Sequence, residues 1–132
     1  MTKYKNNIDK WYKNLKKSPL TPPDYVFGIV WPILYFLLLI YFILALQEKN
    51  KIPLVYFMIQ LILNLFWTTV FFRKKNINLA MYMLVAILFF TILSGMEMYY
   101  KNNNILLPLL LVPYIIWLSF AGYLNFYIIF NN

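Results

Sequence analysis

Hydrophobic residues in this chain fall into four long runs separated by short polar links. The runs cover residues 25–46, 52–72, 79–100 and 105–130, and each is nearly free of charged side chains. A helix needs about 20 apolar residues to cross about 30 Å of hydrocarbon. The pattern therefore predicts four transmembrane helices, and the expected fold class is all-α, an integral membrane helical bundle.

The links between the runs cover residues 47–51, 73–78 and 101–104. Links this short make consecutive helices antiparallel neighbours. The 132 residues leave no room for a separate soluble catalytic domain beside such a bundle. We therefore expect two parts, a basic N-terminal segment over residues 1–24 and the transmembrane bundle over residues 25–132.

Positive charge is distributed unevenly between the two ends of the predicted bundle. Six lysines precede the first run, three basic residues occupy the 73–78 link, and the other two links hold only Lys49, Lys51 and Lys101. Short cytoplasmic segments carry the excess of Lys and Arg. The pattern predicts cytoplasmic N- and C-termini and lysines that meet lipid headgroups, although an acidic ligand is an alternative for the tail. Nucleic acid is not an expected partner.

Composition excludes several chemistries. The chain has no Cys and no His, so disulfides, thiol nucleophiles, imidazole bases and the usual zinc or haem ligands are not available, and neither a metal nor a cofactor is expected. The acidic residues are Asp9, Asp24, Glu48 and Glu97, none of them near the middle of a run. Hydrolysis by paired carboxylates and proton-coupled export therefore lack candidate residues.

Aromatic and amide side chains recur at helical spacing inside three of the runs. Residues spaced three or four apart share one face of a helix. The stripes are Gly28, Trp31, Tyr35 and Leu38 in the first run, Gln60, Asn64, Trp67 and Phe71 in the second, and Pro113, Trp117, Ala121, Leu124 and Asn125 in the fourth, flanked by Tyr114 and Phe120. Polar groups at this depth face protein or a ligand.

Each of these residues also has a purely structural interpretation. A single Trp belongs most often to an interfacial belt or to helix packing, and an Asn within a span usually bonds to a neighbouring helix. The combination of Trp31, Trp67 and Trp117 with Asn64 and Asn125 on three helices favours an intramembrane pocket.

Several of these segments together resemble one known family over residues 11–126. The chain is similar to the TspO/MBR family, also called tryptophan-rich sensory proteins, translocator proteins or peripheral-type benzodiazepine receptors. The matching segments are Trp11-Tyr12-x-x-Leu15-x-Lys17, Thr21-Pro22-Pro23, Val26-Phe27-Gly28-x-x-Trp31-x-x-x-Tyr35, Gln60-x-x-x-Asn64-x-x-Trp67-Thr68-x-x-Phe71-Phe72 and Val112-Pro113-Tyr114-x-x-Trp117-x-x-Phe120-Ala121-x-x-Leu124-Asn125.

The resemblance implies a helical bundle whose ligand cavity opens at one face and is capped by the loop before the Pro-Pro pair. It also implies binding of porphyrin and other flat apolar molecules, commonly by a homodimer. By this resemblance the ligand-binding positions are Trp31, Tyr35, Asn64, Trp67, Trp117 and Ala121, and the capping-loop positions are Trp11, Lys17, Pro22 and Pro23. Trp31 and Trp117 match the tryptophans associated with light-dependent porphyrin breakdown in some bacterial members.

The chain departs from the family pattern in three places. The family has five spans, and the residues before Trp11 are too few and too polar for its first helix, so we expect that helix to be missing. Ser18 and Leu20 stand where the family usually has Pro and Trp in the capping loop. No basic residue follows Leu124 and Tyr127, so the motif proposed for cholesterol is incomplete.

We therefore predict a membrane protein that binds porphyrin for sensing, buffering or disposal. Two alternatives remain at this point, a light-dependent porphyrin-degrading activity that uses Trp31 and Trp117, and a membrane scaffold that binds no ligand. A small four-helix exporter is disfavoured because the first run, residues 25–46, holds no carboxylate that could couple export to protons.

Overall fold

A computed structural model describes residues 17–74 and 76–131 of the chain, without the side chains of Asp24, Thr68, Phe72 and Arg73. The described residues form four long helices: α1 (Asp24–Leu46), α2 (Ile52–Thr68), α3 (Ile77–Tyr100) and α4 (Leu106–Asn131). All four are long and apolar enough to cross a membrane. The predicted all-α membrane bundle is therefore confirmed.

The helices follow the predicted runs, with five ends displaced; α1 starts one residue early at Asp24, α4 ends one residue late at Asn131, and the other three differ as follows. The second run ends not as an α-helix but as a π-helical turn, Thr69–Arg73, which follows α2 directly. Thr69 and Val70 are β-branched and crowd the preceding α-helical turn, so a wider turn relieves them. Helix α3 starts two residues early because the Asn76 side chain accepts a 3.0 Å bond from the backbone N–H of Leu79. Helix α4 begins at Leu106 rather than Ile105.

The helices pack side by side in the ring order α1, α2, α3, α4. Contacts are most extensive between α2 and α3 and between α3 and α4, while α1 lies against α4 and more sparsely against α2. The centre of the ring holds fully buried side chains from every helix, among them Tyr41, Phe57, Ile87 and Tyr114. Helix α1 is thus the least firmly held of the four.

A buried hydroxyl chain joins α1, α3 and the start of α2. The Ser94 hydroxyl donates to the backbone carbonyl of Pro53 at 2.7 Å, so its single hydrogen is used. The Tyr41 hydroxyl, 2.6 Å from Ser94 Oγ, must therefore be the donor in that pair. Both side chains are completely buried, and a polar group at this depth must find its partner within the protein. The chain fixes the relative depth of three helices.

The two links at one end of the bundle are joined by amide side chains. The Asn50 amide donates to Asn102 Oδ1 at 2.9 Å and to Glu97 Oε2 at 3.3 Å, and the Asn104 amide donates to Glu48 Oε1 at 2.9 Å. Asn103 has a positive φ of 53°, a conformation that Asn tolerates better than most residues. This end of the bundle is closed by hydrogen bonds, whereas the basic segments lie at the other end.

The predictions for the N-terminal segment are only partly open to inspection. Trp11 and the expected absence of a first helix concern residues before 17, which lie outside the described residues. The short segment 17–23 leads directly into α1, and Ser18 within it is buried.

Candidate functional site

The deep tryptophans of α1 and α4 lie in contact with each other. The ring centroids of Trp31 and Trp117 are 6.3 Å apart and the ring planes meet at 87°, an edge-to-face arrangement. Tyr35 lies 5.7 Å from Trp31 on the α1 side, and Phe27 and Phe120 lie 5.5 and 5.7 Å from Trp117. Two helices thus contribute one continuous aromatic wall, which we call the indole wall.

Beneath the indole wall, a chain of hydrogen bonds crosses the bundle from α1 through α2 to α4. The Tyr35 hydroxyl donates to Asn64 Oδ1, and Asn64 Nδ2 donates to the Tyr114 hydroxyl at 2.6 Å. The Tyr114 hydroxyl then donates to Gln60 Oε1 at 2.7 Å. Every hydrogen in this phenol–amide chain points from α1 toward Gln60, so the chain has a single direction.

The sequence pattern explains how these groups meet. Gln60 and Asn64 are four residues apart on α2 and therefore share one helical face, and Tyr114 precedes Trp117 by three residues on α4. Tyr114 is fully buried and Asn64 nearly so, whereas Tyr35 is 38% exposed. The chain therefore runs from the outer edge of α1 to the centre of the bundle.

Two buried N–H groups beside this chain, Gln60 Nε2 and Trp117 Nε1, have no hydrogen-bond partner among the residues that the structure describes. Leaving a buried donor unpaired costs about 1–3 kcal/mol. Tyr114 connects the two, because it bonds to Gln60 and lies one turn before Trp117. Both atoms are buried, so a molecule with an acceptor could bond to them only after the surrounding side chains move.

The other two predicted ligand-binding residues are Ala121 and Trp67. Ala121 is half-buried and follows Trp117 by one turn on α4. Trp67 is half-buried, stacks on Phe71 with ring centroids 5.1 Å apart, and packs against both apolar clusters of the core. The structure therefore brings Trp31, Tyr35, Asn64 and Trp117 into one connected group, and it places Trp67 nearer the π-helical turn.

Two groups that matter here were not among the predicted site residues. Tyr114 was noted only as flanking Trp117, and Gln60 only as part of the α2 stripe, yet both are members of the phenol–amide chain. Their helical spacing from Trp117 and Asn64 was the signal that could have identified them. Asn125, considered as a helix-to-helix bond, does make one, since its amide donates to the Ile77 carbonyl at 3.3 Å.

The segment 17–23, which is the described part of the predicted capping loop and is called the capping segment below, contacts α4 at the end of the aromatic series. The hydroxyls of Ser18 and Tyr123 are 3.0 Å apart, and Ser18 Oγ also accepts from the backbone N–H of Leu20 at 3.1 Å. Of the predicted capping residues, Lys17 and Pro22 are half-buried and Pro23 is exposed. The segment is therefore attached to α4 through Ser18, at a position that the sequence comparison with the family had marked as a departure.

Comparison with known proteins identifies the family. The family model described as TspO/MBR matches residues 1–130. The chain belongs to the TspO/MBR family. It is 32% identical over 130 residues to the tryptophan-rich protein TspO of Archaeoglobus fulgidus, an alignment that covers 96% of this chain and 82% of the relative.

Further TspO/MBR relatives come from distant organisms. The chain is 34% identical over 119 residues to the tryptophan-rich sensory protein of Cereibacter sphaeroides, and this alignment covers 89% of this chain and 74% of that protein. It is 31% identical over 123 residues to the translocator protein of Homo sapiens, an alignment that covers 89% of this chain and 72% of the human protein. These comparisons confirm the family that the aromatic and amide segments predict.

Replacement of Tyr114 by Phe should destabilise this TspO/MBR protein more than replacement of Tyr35 by Phe. The first change leaves Asn64 Nδ2 and Gln60 Oε1 without partners in the buried centre, and should lower the free energy of unfolding by about 1–3 kcal/mol. The second leaves only Asn64 Oδ1 unpaired beside a half-open position, and should cost less than about 1 kcal/mol. Unfolding in mixed detergent micelles measures both, and an equal loss would contradict the order of the chain.

Proposed function

We propose that this protein binds porphyrin or a similar flat apolar molecule at the indole wall, for sensing, buffering or disposal of porphyrin. The observation that carries the proposal is the contact between Trp31 and Trp117, which joins the two helices at a depth where lipid would otherwise surround each indole. A flat apolar ring system stacks well on indole and phenol rings. Known relatives are named as tryptophan-rich sensory and translocator proteins, in keeping with a ligand-binding role.

Polar groups at the ends of the wall suit such a ligand. The N–H group of Trp117, unpaired within the described residues, would become available to an acceptor on the ring once the two indoles separate. Lys17 lies in the segment next to α4, so the carboxylates of a porphyrin would meet positive charge at this rim. An apolar pocket with a few placed polar groups is the usual form of a small-molecule site.

The packing of α1 supports an entry route. Helix α1 carries Trp31 and Tyr35 and packs less extensively than the other three helices. A small displacement of α1 away from α4 would separate the two indoles and admit a flat ring between them. We infer that ligand binding exchanges the Trp31–Trp117 contact for contacts of both indoles with the ligand.

Removal of both indoles should abolish saturable binding. In lipid nanodiscs, protoporphyrin should quench the tryptophan fluorescence of the natural chain with saturation at micromolar or lower concentration. The Trp31→Phe, Trp117→Phe double variant should bind at least about tenfold more weakly, followed by the porphyrin absorbance as well as by the remaining tryptophans.

The control for this titration removes two aromatic rings elsewhere. Tyr82 and Phe89 on α3 are 74% and 56% exposed, so a Tyr82→Leu, Phe89→Leu double variant should bind like the natural chain. Linear, unsaturable quenching that is equal in all three proteins would show partition into lipid. The non-binding scaffold would then be the better description.

The same contact favours a second candidate function, light-dependent degradation of porphyrin. Trp31 and Trp117 are near enough for one bound molecule to touch both indoles, and indoles are readily oxidised. Illumination in the presence of oxygen should then cause loss of bound porphyrin absorbance, and Trp→Phe at either position should slow this loss strongly at equal porphyrin occupancy. Samples kept dark or without oxygen serve as controls, and undiminished turnover in both single variants would exclude the activity.

We also propose that the protein forms a homodimer with its N- and C-termini in the cytoplasm. Gly28 on α1 has open space around it, and the sparse packing of α1 leaves a broad apolar face for a second copy. Native mass measurement from nanodiscs should give twice the chain mass of 16.0 kDa. A monomer under conditions that preserve lipid contacts would refute the dimer.

A further inference from the structure

An apolar groove runs along the outer surface between α3 and α4, away from the contact between Trp31 and Trp117. Its volume is about 370 Å³. Leu84 and Leu118 are buried at its floor, and Val85 and Phe126, both about half exposed, form its rims. Because both helices span the membrane, the groove faces lipid and not water.

Gly122 keeps the α4 wall of the groove open. A Cβ atom at this position would meet only the flexible end of Met81, at 3.9 Å. The polar groups that line the groove are already used, since Ser119 donates to the Ile115 carbonyl at 2.8 Å and the Tyr123 hydroxyl pairs with Ser18. The groove therefore offers van der Waals contact and no hydrogen bonds, which suits a hydrocarbon chain.

The position of the groove along the helices matches one leaflet. On α3 it extends from Met81 to Leu88, and the seven rises between these residues at about 1.5 Å each span roughly 10 Å. One leaflet of hydrocarbon is about 15 Å deep, half of about 30 Å. Met81 lies four residues after the start of α3 at Ile77, so the groove begins about 6 Å below the end of the helix. An acyl chain whose headgroup lies at the helix ends would enter it directly.

Positive charge surrounds the end at which the groove opens. Lys74 is exposed three residues before α3 begins, within a link that also contains Arg73 and Lys75 in the sequence. Lys17 directly precedes Ser18, whose hydroxyl contacts Tyr123 on the rim of the groove. Each basic residue near a membrane surface attracts anionic lipid by about 1 kcal/mol. The opposite end of the bundle carries Lys49, Lys51 and Lys101, and there Glu48 and Glu97 offset part of the positive charge.

From the groove and this charge we propose a binding site for one anionic phospholipid, whose acyl chain lies between α3 and α4 and whose phosphate meets the basic end of the bundle. The positive-inside rule assigns this end to the cytoplasmic leaflet, where anionic lipids are concentrated. The bound acyl chain would lie against Tyr123, whose hydroxyl contacts Ser18 in the segment before α1. The site does not depend on porphyrin binding.

Native mass spectrometry tests the proposal on the full chain in micelles with equal amounts of phosphatidylglycerol and phosphatidylcholine. The natural chain should retain one phosphatidylglycerol in preference to phosphatidylcholine. Gly122→Leu fills the groove and should lower this retention about tenfold. Val55→Phe adds bulk at a 56% exposed position of α2 outside the groove, and should retain the lipid like the natural chain.

Two further variants keep the test decisive if Gly122→Leu folds poorly. Val85→Phe narrows the groove from the α3 rim, where the side chain is already 54% exposed, and should also lower retention. Lys74→Gln should reduce the preference for the anionic lipid while total lipid retention persists. Equal retention in the natural chain and both groove variants would overturn the proposal. A dimer that dissociates in both groove variants would assign the groove to a second copy and would overturn it as well.

Discussion

The Tyr114 hydroxyl is the polar group on which the arrangement of this bundle depends most. It lies on α4 at the centre of the ring, accepts from Asn64 and donates to Gln60, and through Asn64 it reaches Tyr35 on α1. In hydrocarbon no water can replace a missing partner, so these side chains bond to one another or remain unsatisfied. The bonds therefore select one depth and one rotation for α4 relative to α2. The contact of Trp31 with Trp117 follows from this, because Trp117 lies one turn beyond Tyr114.

The need to pair polar groups within the protein also means that the site lowers the stability of the bundle. The Tyr41–Ser94–Pro53 chain satisfies buried hydroxyl groups elsewhere in the bundle, yet within the described residues the donors of Gln60 and Trp117 remain unpaired, as does the Asn125 oxygen. A bundle selected for stability alone would have paired or replaced them. One of these unpaired donors belongs to Trp117, which the proposed ligand would contact, so stability and ligand binding compete at this residue.

The fold could be predicted from the sequence because lipid imposes a simple pattern. Four apolar runs and short polar links determine four antiparallel helices, and only local effects moved their ends, such as the Asn76 cap and the π-helical turn after Thr68. The family followed from the spacing of aromatic and amide residues. Individual partners could not be predicted in this way. Helical periodicity shows that Gln60 and Asn64 share a face, but whether that face meets α4 or lipid depends on how the helices rotate.

Ser18 attaches the segment 17–23 to the bundle. Its hydroxyl makes two contacts that a Pro at this position could not make, with the N–H of Leu20 and with the Tyr123 hydroxyl. The first contact orders the turn before α1, and the second joins that turn to α4. Tyr123 belongs to the aromatic series that continues from Trp117 through Phe120, and it also lines the outer groove. Movement of its ring would therefore change the packing at both places. Attachment of the cap is therefore coupled to packing on both sides of α4, a coupling that a Pro at position 18 would not provide.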